Sequence, residues 1–144
     1  MEDERKIFSV YLRDHFIFTL SVDASGRPHS APVFYAFDES DGSLIFMSDP
    51  ETIHGRVISL NPVCSGSIHD TIRDVGKIKG LQFSGKVHIL NDGRSEKTAL
   101  YMKNYPEADK IFGAIYVFQI EWMKMTDNTV FFGFKREWGN DPYS

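Results

Sequence analysis

Residues 44–63 read Leu-Ile-Phe-Met-Ser-Asp-Pro-Glu-Thr-Ile-His-Gly-Arg-Val-Ile-Ser-Leu-Asn-Pro-Val. The apolar run Leu44–Ser48 predicts a strand. Asp49-Pro50-Glu51 is typical of a helix start, with an acidic N-cap, proline at the first helical position and an acid in the first turn. Asn61-Pro62 then ends the helix, because the residue before a proline disfavours helical geometry. The stretch therefore predicts a strand, a short helix and a second strand.

On both sides of this unit the pattern is mostly that of strands. Clusters of turn residues at 23–28 and 39–42 separate the strands before it, and such short connections predict an antiparallel meander. After it, Gly80 and Gly85 predict bends or bulges within one long strand. The predicted strands are Phe16–Val22, His29–Phe37, Leu44–Ser48, Val63–His69, Ile78–Leu90, Ile115–Trp122 and Thr129–Phe134.

Helices are few and short in the remaining sequence. Acidic and basic ends with one apolar side predict an opening helix over residues 2–14. A further helix is predicted over 95–104, with a short helical piece after Pro106 through Phe112. Many short antiparallel strands with small helices predict a mainly β protein, a β-barrel forming one domain over residues 1–144.

The composition is ordinary except for its aromatic content. The 144 residues include 12 Phe, 6 Tyr and 2 Trp, which predicts a β-rich core, an oligomer interface or a site for a flat ligand. A net charge of −4 argues against a nucleic-acid partner. The single cysteine, Cys64, excludes an internal disulfide and fits a reducing cytoplasm, and its strand position predicts a core residue. Neither a signal peptide nor an apolar run of about 20 residues is evident, so we expect a cytoplasmic protein without a membrane span.

Motifs for other chemistries are absent or incomplete in the sequence. The segment Gly80–Val87 nearly fits a phosphate loop, but Val87 stands where magnesium binding needs a hydroxyl. The five histidines lack metal-ligand spacing, and no nucleophile elbow is present. We therefore predict neither a metal site nor a Ser-His-Asp hydrolase.

The start of the predicted helix after Ser48 is the best candidate for a binding site. Free backbone N–H groups and the positive end of the helix dipole favour an anion there. Ser48 and Thr52 add hydroxyl groups, and His54 and Arg56 add nitrogen donors. An ordinary capped helix is the alternative, and it is favoured by Asp49, whose carboxylate competes for the same N–H groups.

Two further polar residues lie in the long strand that begins near Ile78. Lys79 shares one side of the extended segment with Lys77, and a solvated sheet edge is the alternative reading. Gln82 sits among apolar neighbours, and if buried it needs hydrogen-bond partners such as the amide edge of a ligand.

Several of these segments together resemble a known family. Leu44–Ser48, Thr52-x-His54 and Asn61-Pro62-Val63 resemble the strand–helix–strand unit of the pyridoxamine 5′-phosphate oxidase-like proteins, which are FMN-binding split barrels. The runs 78–85, Tyr105-Pro106 and 125–133 are similar to the YhbP-like branch of that superfamily. The resemblance extends from about residue 5 to 138.

The resemblance implies an antiparallel six-stranded split barrel that forms a homodimer, with FMN in grooves at the interface. It also implies that His54 contacts the phosphate where many relatives have arginine or lysine, from which a weaker or a pH-dependent phosphate affinity is expected. By position, Lys79 corresponds to an arginine that many relatives use for that phosphate. Gln82 is expected to face the polar edge of the flavin. Val33 and Met47 are expected to line the flavin ring. The implied cofactor-binding residues are Val33, Met47, Ser48, Thr52, His54, Lys79 and Gln82.

The function implied is that of an FMN-binding oxidoreductase that exchanges electrons with a small-molecule donor or acceptor. No catalytic side chain is expected, since the flavin supplies the hydride chemistry. A non-catalytic dimer that binds flavin or haem is the alternative. Phe34, Phe83 and Trp138 are candidates for contact with the flavin. Trp138 lies in a predicted tail, where it either caps a partner's site or is an exposed or edge-packing residue.

Overall fold

The computed structural model describes residues 4–91, 95–111 and 113–144. Residues 2 and 3 of the predicted opening helix, and Phe112 at the end of the predicted helical piece, lie outside this part of the chain. No helix within it has the length and apolar character needed to cross a membrane. The elements are α1 Glu4–Asp14, β1 Ile17–Ala24, β2 Arg27–Asp38, β3 Ser43–Ser48, α2 Ile53–Leu60, β4 Val63–His69, β5 Lys79–Ile89, α3 Glu96–Asn104, β6 Ala114–Asp127 and β7 Lys135–Gly139, with short 3-10 turns at Val75–Lys77 and Pro106–Lys110.

The strands form one antiparallel sheet that closes on itself. Its order is β3-β2-β1-β4-β5-β6-β7, and β3 also pairs with β6. The first six strands therefore form a closed barrel, which confirms the predicted antiparallel six-stranded split barrel. The N-terminal part of β6 pairs with β3 and its C-terminal part with β7, so β7 lies outside the closed ring.

Several aromatic rings pack together in the barrel interior. The ring of Phe18 lies 5.5–5.9 Å from those of Tyr35, Phe46, Phe83 and Phe118. Phe83 is 1% exposed, so its predicted contact with a flavin is wrong. Of the three interpretations of the high aromatic content, a β-rich core is therefore the one that explains these rings.

Cys64 points into the same interior. It is 4% exposed, and burial raises the pKa of its thiol to about 12. The thiol is therefore not ionised at neutral pH, which confirms that Cys64 is a core residue.

A second apolar cluster covers the outside of β2, β3 and β6. Ala36, Ile45 and Ile115 pack there against Tyr101 of α3 and Ala108 of the following 3-10 turn. The α3 segment therefore lies on the outer face of the barrel, where it shields three strands from water.

The last strand lies later in the chain than predicted. The apolar residues within 129–134 suggested a strand, but this segment is a turn. The Asp127 carboxylate accepts the Thr129 N–H at 3.0 Å, and the Asn128 side chain accepts the Gly133 N–H at 2.8 Å. Gly133 has a φ of 83°, a geometry that strands do not use. The predicted tail around Trp138 is instead β7, and Trp138 packs against the barrel core.

The start of α2 also differs from the prediction. Asp49 is not the N-cap, because its side chain accepts the Glu51 N–H at 2.9 Å and its carbonyl accepts the Thr52 N–H at 3.1 Å. These hydrogen bonds hold Asp49-Pro50-Glu51 in a turn. The helix begins at Ile53, with Thr52 as its N-cap.

A lysine of α3 ties that helix to the β2–β3 hairpin. Lys97 Nζ donates to Asp38 Oδ2 at 2.6 Å, to Asp41 Oδ2 at 2.5 Å and to Ser43 Oγ at 3.1 Å. Burial alone would raise the pKa of Asp38, but hydrogen bonds from Lys97 and Ser40 outweigh it and hold that pKa below its usual 3.8. The same balance, with Ser43 in place of Ser40, lowers the pKa of Asp41.

We expect Lys97→Met to lower the free energy of unfolding at pH 7 by about 2 kcal/mol, between the values for exposed and buried ion pairs. Carboxylates with lowered pKa values stabilise the fold above their unfolded pKa, and that contribution is lost as pH falls through the folded value. The difference in the free energy of unfolding between Lys97→Met and the unmodified protein should therefore become smaller below about pH 4. Urea unfolding at pH 7 and pH 3 measures both effects. Lys103→Met, on the exposed side of the same helix, is the control, and an equal loss there would contradict the role of Lys97.

Candidate functional site

The loop from β3 into α2 carries three of the predicted site residues. The Thr52 hydroxyl accepts the Gly55 N–H at 3.1 Å and donates to the Asp49 carbonyl at 2.8 Å. Thr52 is thus fully engaged in capping the helix. The N–H groups of Ile53 and His54 have no acceptor within the helix by its geometry, so these groups are available to an anion.

His54 and Ser48 lie side by side at this end of the barrel. His54 Nε2 is 2.6 Å from Ser48 Oγ, and the imidazole is only 8% exposed. The His29 ring stacks beside it, with centroids 6.4 Å apart. Burial, and then the charge of His29, lower the pKa of His54 below its usual 6.5. The imidazole is therefore neutral at pH 7 and offers a hydrogen bond without a fixed positive charge.

Lys79 lies at the opposite end of the barrel from this site. It begins β5, and Ile89 ends the same strand, about 33 Å away at 3.3 Å per residue. Ile89 pairs with Tyr116 in the N-terminal part of β6, the part that also pairs with β3 next to Ser48. The structure therefore does not bring Lys79 together with Ser48 and His54 within one chain.

Gln82 lies in β5 near Lys79, and its side chain is exposed. It is paired across the sheet with Ser67 on one side and Lys124 on the other. Water can bond to the amide of an exposed glutamine, so Gln82 needs no ligand as a hydrogen-bond partner. The argument that a buried Gln82 would require the flavin therefore does not apply.

Val33 and Met47 lie on opposite faces of the barrel wall. Val33 is 7% exposed and belongs to the interior cluster, whereas Met47 packs against the outer cluster beneath α3. One planar ring therefore does not contact both side chains. A ligand on the outer face would meet Met47, and only the backbone at Val33.

Several polar residues near these positions left no signal in the sequence. Tyr11 and His15 of the α1 region both bond to Asp70 Oδ1, at 3.1 and 3.0 Å, and Asp70 Oδ2 accepts the Lys79 N–H at 3.0 Å. His29, which stacks on His54, also left no signal in the sequence. These partners are far apart in the chain, and no local spacing marks them.

Comparison with known proteins identifies the family. A family model described as pyridoxamine 5′-phosphate oxidase matches residues 4–130. The chain belongs to the pyridoxamine 5′-phosphate oxidase family. A UPF0306 protein of Photorhabdus laumondii is 33% identical over 135 residues, covering 92% of this chain and 94% of that protein. The resemblance inferred from the β3–α2–β4 unit is confirmed.

Solved structures show the same fold. A haem-binding protein from Mycobacterium smegmatis superimposes with a TM-score of 0.80 at 14% identity, covering 96% of this chain and 59% of that one. A FAD-binding protein from Mesorhizobium loti has a TM-score of 0.70 at 18% identity, covering 86% of this chain and 92% of that one. Solved proteins that share this fold thus include one described as FAD-binding and one described as haem-binding.

Proposed function

We propose that this member of the pyridoxamine 5′-phosphate oxidase family is an FMN-binding oxidoreductase, acting as a cytoplasmic homodimer. The observation that carries the proposal is the group of hydrogen-bonding atoms formed by Ser48, His54 and the N-terminus of α2. The flavin-binding protein of the same fold supports it. The N-terminus of α2 offers free N–H groups and the positive end of a helix dipole to the phosphate of FMN.

The residues present fit a phosphate through hydrogen bonds more than through charge. The N–H groups of Ile53 and His54 lie in the first turn of α2, and the Ser48 hydroxyl and the His54 imidazole are hydrogen-bonded neighbours beside that turn. Thr52 acts indirectly, because its hydroxyl holds the helix end in place. FMN, when bound, supplies the electron-transfer chemistry, and the chain binds, orients and partly shields it.

In the proposed homodimer, the second subunit supplies Lys79 and Gln82 to the FMN site. In a two-fold dimer, the β5 start of one subunit can approach the α2 end of its partner, which one chain alone does not achieve. Exposed aromatic residues support an interface, since Phe16, Phe34 and Phe132 are 59%, 53% and 74% exposed. The site proposed for FMN therefore includes residues from both subunits.

We expect FMN binding near pH 7 to take up protons from solution. The lowered pKa leaves His54 neutral in the free protein, and a phosphate beside it favours the imidazolium, so binding raises that pKa. In the free protein, the stability contributed by neutral His54 is present above about pH 6.5 and declines as pH falls through its folded pKa. Calorimetry in two buffers of different ionisation enthalpy measures the uptake. The same uptake in His54→Asn would contradict the assignment.

The proposed function is tested directly on the purified protein. We expect saturable quenching of FMN fluorescence with a Kd of about 10 µM or lower at neutral pH. The loaded protein should oxidise NADH or NADPH in the presence of an acceptor. Absence of FMN binding at micromolar concentration would refute the proposal, and binding without turnover would restrict it to a carrier.

Haem binding without catalysis is the second candidate. The observation that favours it is the stacked pair His29 and His54, since imidazoles are common axial ligands of haem. The haem-binding protein of the same fold adds support. Titration with haemin separates the two candidates. A Soret shift that is lost in both His29→Ala and His54→Ala, together with no FMN binding, would favour haem.

A further inference from the structure

One outer face of the barrel is open to solvent, in contrast to the face that α3 covers. It is formed by four neighbouring strands, β2, β1, β4 and β5, whose buried and exposed residues alternate. Cross-strand pairing sets the outward residues in rows. We call this surface the open face, and it consists of Ile17, Thr19, Ser21, Ser30, Pro32, Phe34, Val63, Ser65, Ser67, Gln82 and Ser84.

The residues of the open face are all uncharged, although 25% of the residues in the chain are charged. The middle of the face consists mainly of hydroxyl residues. Ser21 pairs with Ser30 on one side and with Ser65 on the other, and Ser65 pairs with Ser84. A surface without charged side chains is typical of the centre of a protein–protein interface.

Exposed apolar side chains lie at the two ends of the open face. Ile17 and Phe34 pair at one end and are 40% and 53% exposed. Ser21 pairs with Ser65, so Val63, two residues before Ser65, lies at the other end, and it is 56% exposed. In the single chain these apolar groups remain in water, and clustered exposed apolar groups indicate a binding surface.

A second copy of the chain fits the open face better than a partner of one charge. A hydroxyl group both donates and accepts a hydrogen bond, so a face of hydroxyl groups is complementary to itself. Because the face is uncharged, two copies meet there without like-charge repulsion. A nucleic acid or an anionic membrane would instead require a basic patch.

The orientation of the two copies follows from the shared FMN site proposed above. A two-fold axis that lies between the two faces and runs across the strands places each end of one face over the opposite end of the other. Gln82 then approaches the end at which α2 of the partner subunit leads into β4. The same axis places Ile17 and Phe34 over Val63 of the partner subunit. One arrangement therefore serves both the FMN site and the apolar ends.

The open face and its margins together approach the size of a stable interface. The four strands cover about 20 Å by 20 Å, about 400 Å² in projection, whereas a stable interface buries about 800 Å² of accessible surface per subunit. Phe16 and Leu60 extend the face at its two ends and are 59% and 89% exposed. The ring of Phe16 stacks on that of Phe34, with centroids 6.3 Å apart.

We propose that two copies of this chain associate through the open face, with the two-fold axis passing near Ser65 and Ser67. This inference rests on the proposed function, in which the second subunit supplies Gln82 to the FMN site. The hydroxyl groups near the axis then bond to those of the partner subunit. A monomer holds only part of the FMN site.

The first test measures association in the absence of FMN. We expect the unmodified protein to sediment as a dimer at about 10 µM, and Ser67→Arg to raise the dimer Kd about 100-fold, since two cations then face each other. Ser40→Arg is the matched control, because it makes the same substitution on the exposed β2–β3 turn. A monomeric unmodified protein, or equal Kd values for the two variants, would overturn the proposal.

Opposite charges at one position show whether the two open faces meet. Ser67→Glu alone should also be monomeric, because two carboxylates then face each other. An equimolar mixture of Ser67→Arg and Ser67→Glu should form a heterodimer, since each cation meets a carboxylate. Misfolding of either variant does not produce such a recovery. If two variants with native circular dichroism stay monomeric on mixing, the open face is not the interface.

Cross-linking tests the position of the axis. A short bismaleimide should join Ser67→Cys chains in pairs, whereas Lys103→Cys, on α3 at the covered face, should remain largely unlinked. Cys64 is 4% exposed and does not compete for the reagent. Equal cross-linking of the two variants would contradict the axis that we place near Ser67.

FMN titration of Ser67→Arg separates this interface from the proposed function. A monomeric variant without FMN affinity supports both the interface and the shared site. A monomeric variant that binds FMN as the unmodified protein does would refute the shared site and leave the open face as the interface. A variant that remains a dimer overturns the interface, whatever its affinity for FMN.

Discussion

A chain with His54→Glu is expected to lose at least about 100-fold in FMN affinity, or 2.7 kcal/mol, because a carboxylate then faces the phosphate. Ser48 is 2.6 Å from His54 and does not supply a compensating charge. Titration of FMN fluorescence measures the loss. Ser59→Glu is the matched control, since it makes the same change of charge on an exposed position of the same helix. Comparable losses in both variants would mean that net charge, and not the position of His54, decides affinity.

The same variant also tests whether the site is shared between subunits. Lys79→Glu is expected to weaken FMN binding on its own, although Lys79 begins β5 at the end of the barrel opposite α2 in its own chain. A heterodimer of one His54→Glu chain and one Lys79→Glu chain has one site with both native residues and one site with neither. We expect half of its sites to bind FMN with native affinity. Heterodimers purified through two different tags that recover no binding would refute the shared site and leave the His54 result standing.

Gly85→Ala is expected to destabilise the barrel by about 3 kcal/mol or more, as overpacking at a rigid contact does. A Cβ at Gly85 would lie too close to the Gln119 carbonyl oxygen, a backbone atom that has no room to move. The contact arises at the β5–β6 irregularity, where Gly85 pairs with Ile120 and Glu121 is left without a partner. Urea or thermal unfolding measures the loss, which corresponds to a lower Tm by about 10 °C.

Gly80→Ala is the control for that substitution. It lies in the same strand, and the nearest atom to its Cβ would be the Ile68 carbonyl oxygen at an ordinary 3.7 Å. We expect a change of no more than about 1 kcal/mol in either direction. A similar loss at both positions would show that glycine is needed for strand flexibility and not for the close approach of β6.

The fold was predictable because its signals are local. The apolar run at 44–48 and the Asn61-Pro62 breaker determine the β3–α2–β4 unit, and short turns fix the meander before it. Two of the differences from the prediction have clear physical reasons. The apolar segment 129–134 resembles a strand, but side chains of Asp127 and Asn128 hold it as a turn. Asp49 resembles an N-cap, yet its bonds to Glu51 and Thr52 delay the helix.

The candidate site was predictable only in part. Ser48 and His54 are six residues apart, so the strand–helix turn that joins them also places them together. Strand periodicity indicates which face Lys79 occupies, but not that it lies at the far end of the barrel. Val33 and Met47 lie on neighbouring strands, and their opposite faces follow only from the pairing register. The contact of His29 with His54 depends on the closed barrel, which no short motif specifies.

The pairing of β3 with β6 has a consequence for how the protein matures. Leu44 pairs with Phe118, 74 positions later, whereas β1 with β2 and β2 with β3 pair across short turns. Since closing a long loop costs more entropy and slows folding, we expect this seam to form late. Ser48 is the last residue of β3 in the seam, opposite Ala114. The α2 end that we propose to bind the phosphate is therefore completed only when the barrel closes, so we expect FMN to bind after folding and not during synthesis.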